Sequence, residues 1–498
     1  MRPPTSPHLE KGSDGSASKS SLSGHPAADF DLVAERRLVR KLDLTLLPLF
    51  TLIYMANFID RTAIGNARVA GLEKDLRMSG SDFNKAMTVF HVFYALSDIP
   101  SNLVLKRYGS IWLAVLVMAF GLVALGSAFM TSYPGFIASR VFLGLAEGGT
   151  LSGLVYTLSQ YYRRKELAMR VGFFMGVAPS LAGAFGGLLA WGLLRVRDIG
   201  VVTRWRKILL VEGLLTTLTG LTLLFVIPAE PSKTKLFTVE ERALALARLE
   251  ADKPISQRRQ GEKGGKEKTR LQLVLKAFNV HTTVCTVVFI ILNMSFQGLS
   301  IFLPTIINNL GHYTPVQVQV RTVPPYLVSA VFALSIAFAS FRFQSRFGAL
   351  FASLLLSVVG YAIAIGCREP HARYGACFLM IAGGGSGGPM IMTWGTENAA
   401  PDTMRAVASA AIPAFGAIGA IISVWTYIPE DSPRYLKGNA ANLATSILAC
   451  VLVVFLMLYL RRENRARDSG KRDHLLNGKT EEEINEMGCR HPEFRYQL

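Results

Sequence analysis

The chain has 498 residues, of which 50% are hydrophobic and 18% charged, with mean hydropathy +0.33 and a formal net charge of +18. Ordinary soluble proteins carry about a quarter charged residues, so this composition argues against a soluble globular enzyme and for a membrane protein. The basic charge follows the loops rather than one face of a fold, which excludes a nucleic-acid-binding reading.

Residues 1–43 read as an N-terminal tail, largely disordered. Its first thirty residues are rich in Ser, Gly and Pro and lack the apolar core of a signal peptide. The first hydrophobic segment is therefore expected to target the chain and to stay in it.

Twelve apolar segments follow, each near the ~20 residues that cross a bilayer as a helix. They cover 44–66, 83–104, 111–130, 134–159, 167–193, 207–227, 278–304, 322–341, 348–366, 374–396, 405–427 and 441–460. The predicted fold class is an all-α membrane protein with twelve transmembrane helices in two pseudo-symmetric six-helix bundles, 44–227 and 278–460. Forty-four glycines suit close helix contacts in lipid.

The central loop, 228–277, holds twelve Lys and Arg. Further basic residues flank the first segment (Arg36, Arg37, Arg40, Lys41) and open the tail at 461–498 (Arg461, Arg462, Arg465, Arg467). The positive-inside bias then places both termini and the central loop in the cytoplasm. Against it, Arg195, Arg197, Arg204, Arg206 and Lys207 fall outside. Within the central loop, Thr238 to Leu249 predicts a short amphipathic surface helix with a Thr cap, and 252–270 a linker. Five cysteines make no disulfide framework. Cys367 and Cys377 flank one short loop, and two free thiols are the expectation there.

The two halves carry a faint repeat at an offset of 239 residues. Lys106-Arg-Tyr-Gly109 matches Ser345-Arg-Phe-Gly348, and Gly144-Leu-Ala-Glu-Gly-Gly-Thr150 matches Gly383-Gly-Gly-Ser-Gly-Gly-Pro389. Repeated halves with a site between them are a common build of secondary transporters. In this repeat Glu147 corresponds to Ser386, so the ionisable residues concentrate in the first half.

The fourth segment holds Arg140 and Glu147, seven residues apart and so on one helix face. The first holds Asp60 and Arg61. Ionisable groups in hydrocarbon are expensive and mark ion or substrate paths. Arg offers a planar fork that grips a carboxylate by two hydrogen bonds. A structural role remains open for each. Arg140 and Glu147 could neutralise each other, and Asp60 with Arg61 could snorkel from a shallow helix end.

Several motifs resemble the major facilitator superfamily, and within it the anion:cation symporter family. They are Phe58-Ile-Asp60-Arg61-Thr-Ala-Ile-Gly65-Asn66-Ala-Arg68, Tyr94-Ala-Leu-Ser-Asp98-Ile-Pro100-Ser-Asn102, Lys106-Arg107-Tyr-Gly109, Phe302-Leu-Pro304, Val323-Pro324-Pro325-Tyr326 and Asp431-Ser-Pro433-Arg434-Tyr435. The set is similar to the fungal allantoate-permease branch, nearest its nicotinic acid permeases. That branch carries nicotinate, allantoate, pantothenate and related carboxylates. Two departures stand out: Lys106 replaces the superfamily's usual acidic residue, and Leu143 replaces a frequent glutamine.

The resemblance implies proton-coupled uptake of a small organic carboxylate by alternating access, with no cofactor and the proton as coupling ion. It assigns Asp60 and Glu147 to proton coupling and Arg61 and Arg140 to the substrate anion. The expected partners are the anion, protons and the bilayer; the expected state is a monomer in the plasma membrane.

The remaining candidates rest on their position in the segments. Tyr94 could hydrogen-bond substrate or simply pack. Trp394 with Asn398, and Asn293 with Gln297, are spaced by four and so share a helix face, which would suit a flat aromatic acid. Asp98, Lys106 and Arg107 are placed as gating residues. His91 reads as a core histidine or a proton relay. Export of an anionic secondary metabolite and a non-transporting nutrient sensor stand as alternatives.

Overall fold

The computed structural model describes residues 32–252, 278–476 and 487–498, apart from 199, 201 and 401, together with Gly478. The proposed linker and most of the N-terminal tail lie outside the described residues.

The fold is all-helical. The first half comprises α1 (Leu32–Ala67), α2 (Asp82–Tyr108), α3 (Ile111–Ser127), α4 (Tyr133–Glu147), α5 (Thr150–Ser159), α6 (Arg164–Arg195) and α7 (Trp205–Val226). After the central helix α8 (Val239–Asp252) come α9 (Val280–Asn308), α10 (Pro315–Phe343), α11 (Arg346–Gly366), α12 (Pro370–Glu397), α13 (Asp402–Val424) and α14 (Leu436–Asp468). Ten helical stretches among the described residues are long and apolar enough to cross a membrane, with α4 and α5 counted as one. The 17-residue α3 and the more polar α2 bring the spans to twelve.

The fourth span is broken, where the sequence predicted one helix. Ser132 caps α4 by accepting from Gly135 N. The helix ends at Glu147, Gly148 is extended, and Gly149 adopts φ 81° before α5 begins. The cause is the close approach of α2. A Cβ on Gly148 would run into Ser97, and one on Gly149 would lie 2.5 Å from Ser101. Only glycine tolerates both the contact and the left-handed backbone. The break leaves Glu147 at a helix end in the middle of the protein.

One pair of the repeat occupies equivalent places, while the other does not, since 144–150 holds the helix break and 383–389 lies within α12. Lys106–Gly109 joins α2 to α3, and Ser345–Gly348 joins α10 to α11, with Ser345 capping α11. The central helix forms as expected: Thr238 and Glu241 cap each other reciprocally. It is tied to the first half by Lys41–Glu241 (2.7 Å), Arg248–Glu35 (2.9 Å) and Arg248–Glu166 (2.6 Å).

The halves meet tightly at the end opposite the central loop. Gly65 of α1 packs directly on the Ile301 carbonyl of α9. Asn84 Nδ2 donates to Val424 O at 2.6 Å, and Trp425 Nε1 donates to Thr88 at 3.1 Å. Gln319 Nε2 donates to Asn66 O at 3.3 Å. The Arg68 guanidinium lies 4.4 Å from the Phe83 ring and 5.3 Å from the Phe302 ring. This end is sealed.

The described part of the tail is packed against the helices. α14 runs on to Asp468, and residues 487–498 fold back onto the ends of α9, α11, α12 and α14. Cys367 and Cys377 are free thiols.

Candidate functional site

A cavity of about 950 Å³ lies between the two halves. It opens at the end bearing the central loop, past Lys106, Ser159 and Phe278, and closes inward at Arg61. Its walls are largely apolar, from α1, α2, α5, α6, α9, α12 and α13.

Arg61 is the cationic group at the blind end. Its guanidinium sits 4.8 Å from the Tyr94 ring, 5.0 Å from Phe58 and 5.5 Å from Phe90. Such faces attract a cation through their quadrupoles. Behind Arg61 is Glu147, fully buried, with Oε2 3.4 Å from Arg61 Nη2 and accepting from Asn57 Nδ2 at 2.9 Å. Glu147 Oε1 has no hydrogen-bond partner. Removing one member of such a pair leaves an uncompensated buried charge.

Asp60 and Arg140 face a second, small void of about 10 Å³, lined also by Arg61, Ile64, Met87, Phe90, Leu143 and Ile301. That approaches the room one water needs. Arg140 donates weakly to Ser139 at 3.4 Å and lies 5.3 Å from the Phe136 ring. Asp60 Oδ2 is buried without a partner.

Asp60, Arg61, Arg140 and Glu147 do not all line the cavity. Arg61 alone of the four reaches the cavity; Asp60 and Arg140 share the small void with it, and Glu147 is fully buried. The helix explains the split, because successive residues on α1 point about 100° apart. Arg61 turns to the cavity and Asp60 turns to α4. The Arg140–Glu147 spacing along one face holds, but the ion pair of Glu147 is with Arg61.

Tyr94, Asn293 and Gln297 line the cavity. Asn293 donates to Gly416 O at 2.7 Å, and Gln297 Oε1 has no partner. Trp394 and Asn398 do share a face, but it is turned away from the cavity. Trp394 Nε1 and Asn398 Nδ2 both donate to Gln497 O, at 2.9 and 3.0 Å, and Asn398 Oδ1 accepts from Gln497 N at 2.8 Å. They anchor the folded-back tail, because both sit near the end of α12 where that tail docks.

Asp98 and Lys106 line the outer cavity. Asp98 accepts from Ser152 at 2.5 Å and Asn102 at 3.1 Å, tying α2 to α5. Arg107 is exposed outside the lining, its guanidinium 5.8 Å from the Tyr108 ring. His91 lines the cavity with Nε2 unpartnered, so it is not a satisfied core histidine.

Sequence reasoning passed over Glu212 of α7. It is 1% exposed, and neither carboxyl oxygen has a hydrogen-bond partner. The signal was present: a lone carboxylate inside the apolar run Ile208-Leu-Leu-Val-Glu-Gly-Leu-Leu215.

Comparison with known proteins agrees with this architecture. Residues 50–424 match the Major Facilitator Superfamily. The chain is 32% identical over 465 residues to the MFS-type transporter efuF of Hormonema carpetanum, covering 93% of this chain and 92% of that protein. It is 28% identical over 480 residues to the major facilitator-type transporter hxnP of Emericella nidulans, covering 94% of each. The proton:xylose symporter XylE bound to 6-bromo-6-deoxy-D-glucose superposes with TM-score 0.64 at 16% identity, over 84% of this chain and 95% of that one. A bacterial homologue of the human lysosomal transporter Spinster, inward-facing and occupied, superposes with TM-score 0.60 at 17% identity, over 83% and 96%. With this fold and a family match over most of its length, the chain belongs to the Major Facilitator Superfamily.

Proposed function

We propose that this multi-pass membrane transporter, which is not an enzyme, carries a small organic carboxylate together with protons by alternating access. The observation that carries the reading is the placement of Arg61. It is a cation at the blind end of a mostly apolar cavity, paired with a carboxylate that has one oxygen free. A carboxylate substrate entering the cavity competes with Glu147 for the guanidinium fork. A proton on Glu147 removes that competition and leaves Arg61 free for the anion. Asp60 beside Arg140 supplies the second proton-carrying group.

By the positive-inside bias of the basic flanks the open end of the cavity and both termini face the cytoplasm, an inward-facing arrangement, and the resemblance to the fungal permeases suggests the plasma membrane as the site of action. By resemblance to the allantoate-permease branch, nicotinate is the first carboxylate to test. Export of a larger anion is the second reading. The cavity volume and apolar walls favour it, since both exceed what a single small ring needs.

The test is uptake of labelled nicotinate, allantoate and pantothenate into proteoliposomes under an imposed pH difference. Glu147→Gln should retain counterflow at equal pH and lose pH-driven accumulation. Absence of carboxylate movement under any imposed gradient would remove the proposal.

A further inference from the structure

The two carboxyl oxygens of Glu147 are held unequally. Arg61 Nε and Nη2 both reach Oε2 at 3.4 Å, and Asn57 Nδ2 donates to the same oxygen at 2.9 Å. Among the described residues, no donor reaches Oε1. Asn57 stands four residues before Arg61 on α1, so the two share a helix face and meet Glu147 together at the end of α4. Asn57 is 1% exposed, and its own Oδ1 is a buried acceptor without a hydrogen-bond partner.

Two residues already joined by a hydrogen bond therefore hold one unmet acceptor each, Glu147 Oε1 and Asn57 Oδ1. Buried polar atoms are seldom left so. An ionised carboxylate can only accept, whereas a protonated one gains an O–H donor. A single proton on Glu147 Oε1 supplies the donor that Asn57 Oδ1 lacks. The acid and the amide then close a ring of two hydrogen bonds, O–H to Oδ1 and Nδ2–H to Oε2. Of the elements around Glu147, α1 brings Asp60 and Arg61, α4 brings Arg140, α2 brings His91, Tyr94 and Asp98, and the apolar α3 brings no titratable side chain. Arg61 can only donate, so among the side chains bonded to the Glu147 carboxyl the amide is the one able to accept a hydrogen.

We propose that Asn57 is the positioning residue for the coupling proton, accepting the hydrogen of protonated Glu147 while its own N–H holds Oε2. A proton from water forms the O–H bond on Oε1 and neutralises the carboxylate; on release that bond breaks and the proton returns to water. Neutral Glu147, held by Asn57, leaves the Arg61 fork to the substrate anion. The inference rests on the proton-coupled reading above and adds to it the atom that takes the proton and the side chain that keeps it there.

The experiment is infrared difference spectroscopy of the full-length chain in detergent across a pH jump, without substrate. A protonated-carboxyl band should appear in wild type and be missing from Glu147→Gln. In Asn57→Leu, close in volume but without hydrogen-bonding atoms, that band should move to the higher frequency of an unbonded acid. A second arm needs no Asn57 variant and uses asparagine isotope-labelled at its side-chain carbonyl. One labelled amide band should change in step with the carboxyl band in wild type and be silent in Glu147→Gln. In proteoliposomes, Asn57→Leu should lower pH-driven accumulation of nicotinate by about tenfold, the worth of one or two hydrogen bonds. An unmoved carboxyl band in Asn57→Leu overturns the inference, and is the result that a water shared by the two oxygens would give. A labelled amide signal that persists in Glu147→Gln, or no carboxyl band lost in that variant, overturns it as well. Absence of pH-driven uptake in wild type counts against the transport reading instead, and the infrared arms still decide where the proton sits.

Discussion

Arg61 and Glu147 meet 3.4 Å apart at the inner end of the cavity, although 86 positions separate them in the chain. The contact joins the first and fourth spans of one half. It also places the cavity's cation under the control of a carboxylate that the cavity does not touch.

Replacing Arg61 should therefore have two separable effects. Arg61→Lys keeps the charge but loses the fork and the flat stacking surface. Carboxylate affinity, read as the apparent Kd in detergent, should fall about ten- to a hundredfold, the worth of one or two charge-assisted hydrogen bonds. Arg61→Gln should lower stability by about 3–5 kcal/mol, because Glu147 is left buried without its ion-pair partner. The double variant Arg61→Gln/Glu147→Gln should recover much of that loss. Additive losses in thermal unfolding would show that the pair is not coupled.

Gly65→Ala should loosen the sealed end. A methyl group there cannot coexist with the Ile301 carbonyl at the present separation, and overpacking costs about 1–3 kcal/mol. With cysteines introduced as Thr88→Cys and Trp425→Cys, cross-linking across that end should drop when Gly65→Ala is added. An undiminished cross-link would mean that α1 and α9 slide apart without opening the face.

Asn398→Ala should free the tail and leave the cavity intact. The variant loses both hydrogen bonds to Gln497, while Trp394 Nε1 still donates to the Gln497 carbonyl, at a cost of about 0.5–1.5 kcal/mol per bond. Hydrogen exchange over 487–498 should rise, while carboxylate affinity stays at the wild-type value. A fall in affinity would return Asn398 to the substrate site.

The central helix offers a pH-dependent contact outside the membrane. The hydrogen bond from Lys41 holds the Glu241 carboxyl below its usual range, helped by the backbone N–H of Thr238. A carboxylate depressed in the folded state stabilises above its unfolded pKa, and that contribution fades as pH falls through the folded value. Spin-label distances between α8 and α1 should stay constant from about pH 6 to 8 and broaden in acid. Lys41→Gln should move the broadening to higher pH.

Much of this architecture was legible in the chain. The twelve spans follow from apolar runs whose lengths match a bilayer, and the capped helix after Thr238 follows from local hydrogen bonding that needs no tertiary knowledge. The buried charges were visible too, since Asp60, Arg61, Arg140 and Glu147 stand out against apolar neighbours. Their partners were not. Spacing along one helix says which residues share a face, but not which helix that face meets. For this reason Glu147 was set beside Arg140 and not Arg61, and Trp394 and Asn398 were aimed at the cavity and not at Gln497. The break at Gly148 and Gly149 escaped because its cause lies in α2, at Ser97 and Ser101. Glu212 was legible by the same rule that found Glu147.

The contacts from Asn84, Trp425 and Gln319 that hold the far end shut carry no formal charge. Hydrogen bonds from neutral amides and an indole are indifferent to ionic strength and to mild acidity, unlike the Arg68 guanidinium packed on Phe83 and Phe302 at the same end. External salt or pH therefore has little leverage on those bonds directly. On the proton-coupled reading proposed above, opening is decided deeper in, where protonation changes the charge balance among Asp60, Arg61, Arg140 and Glu147, and is conveyed outward along α1, which carries both Arg61 and Gly65.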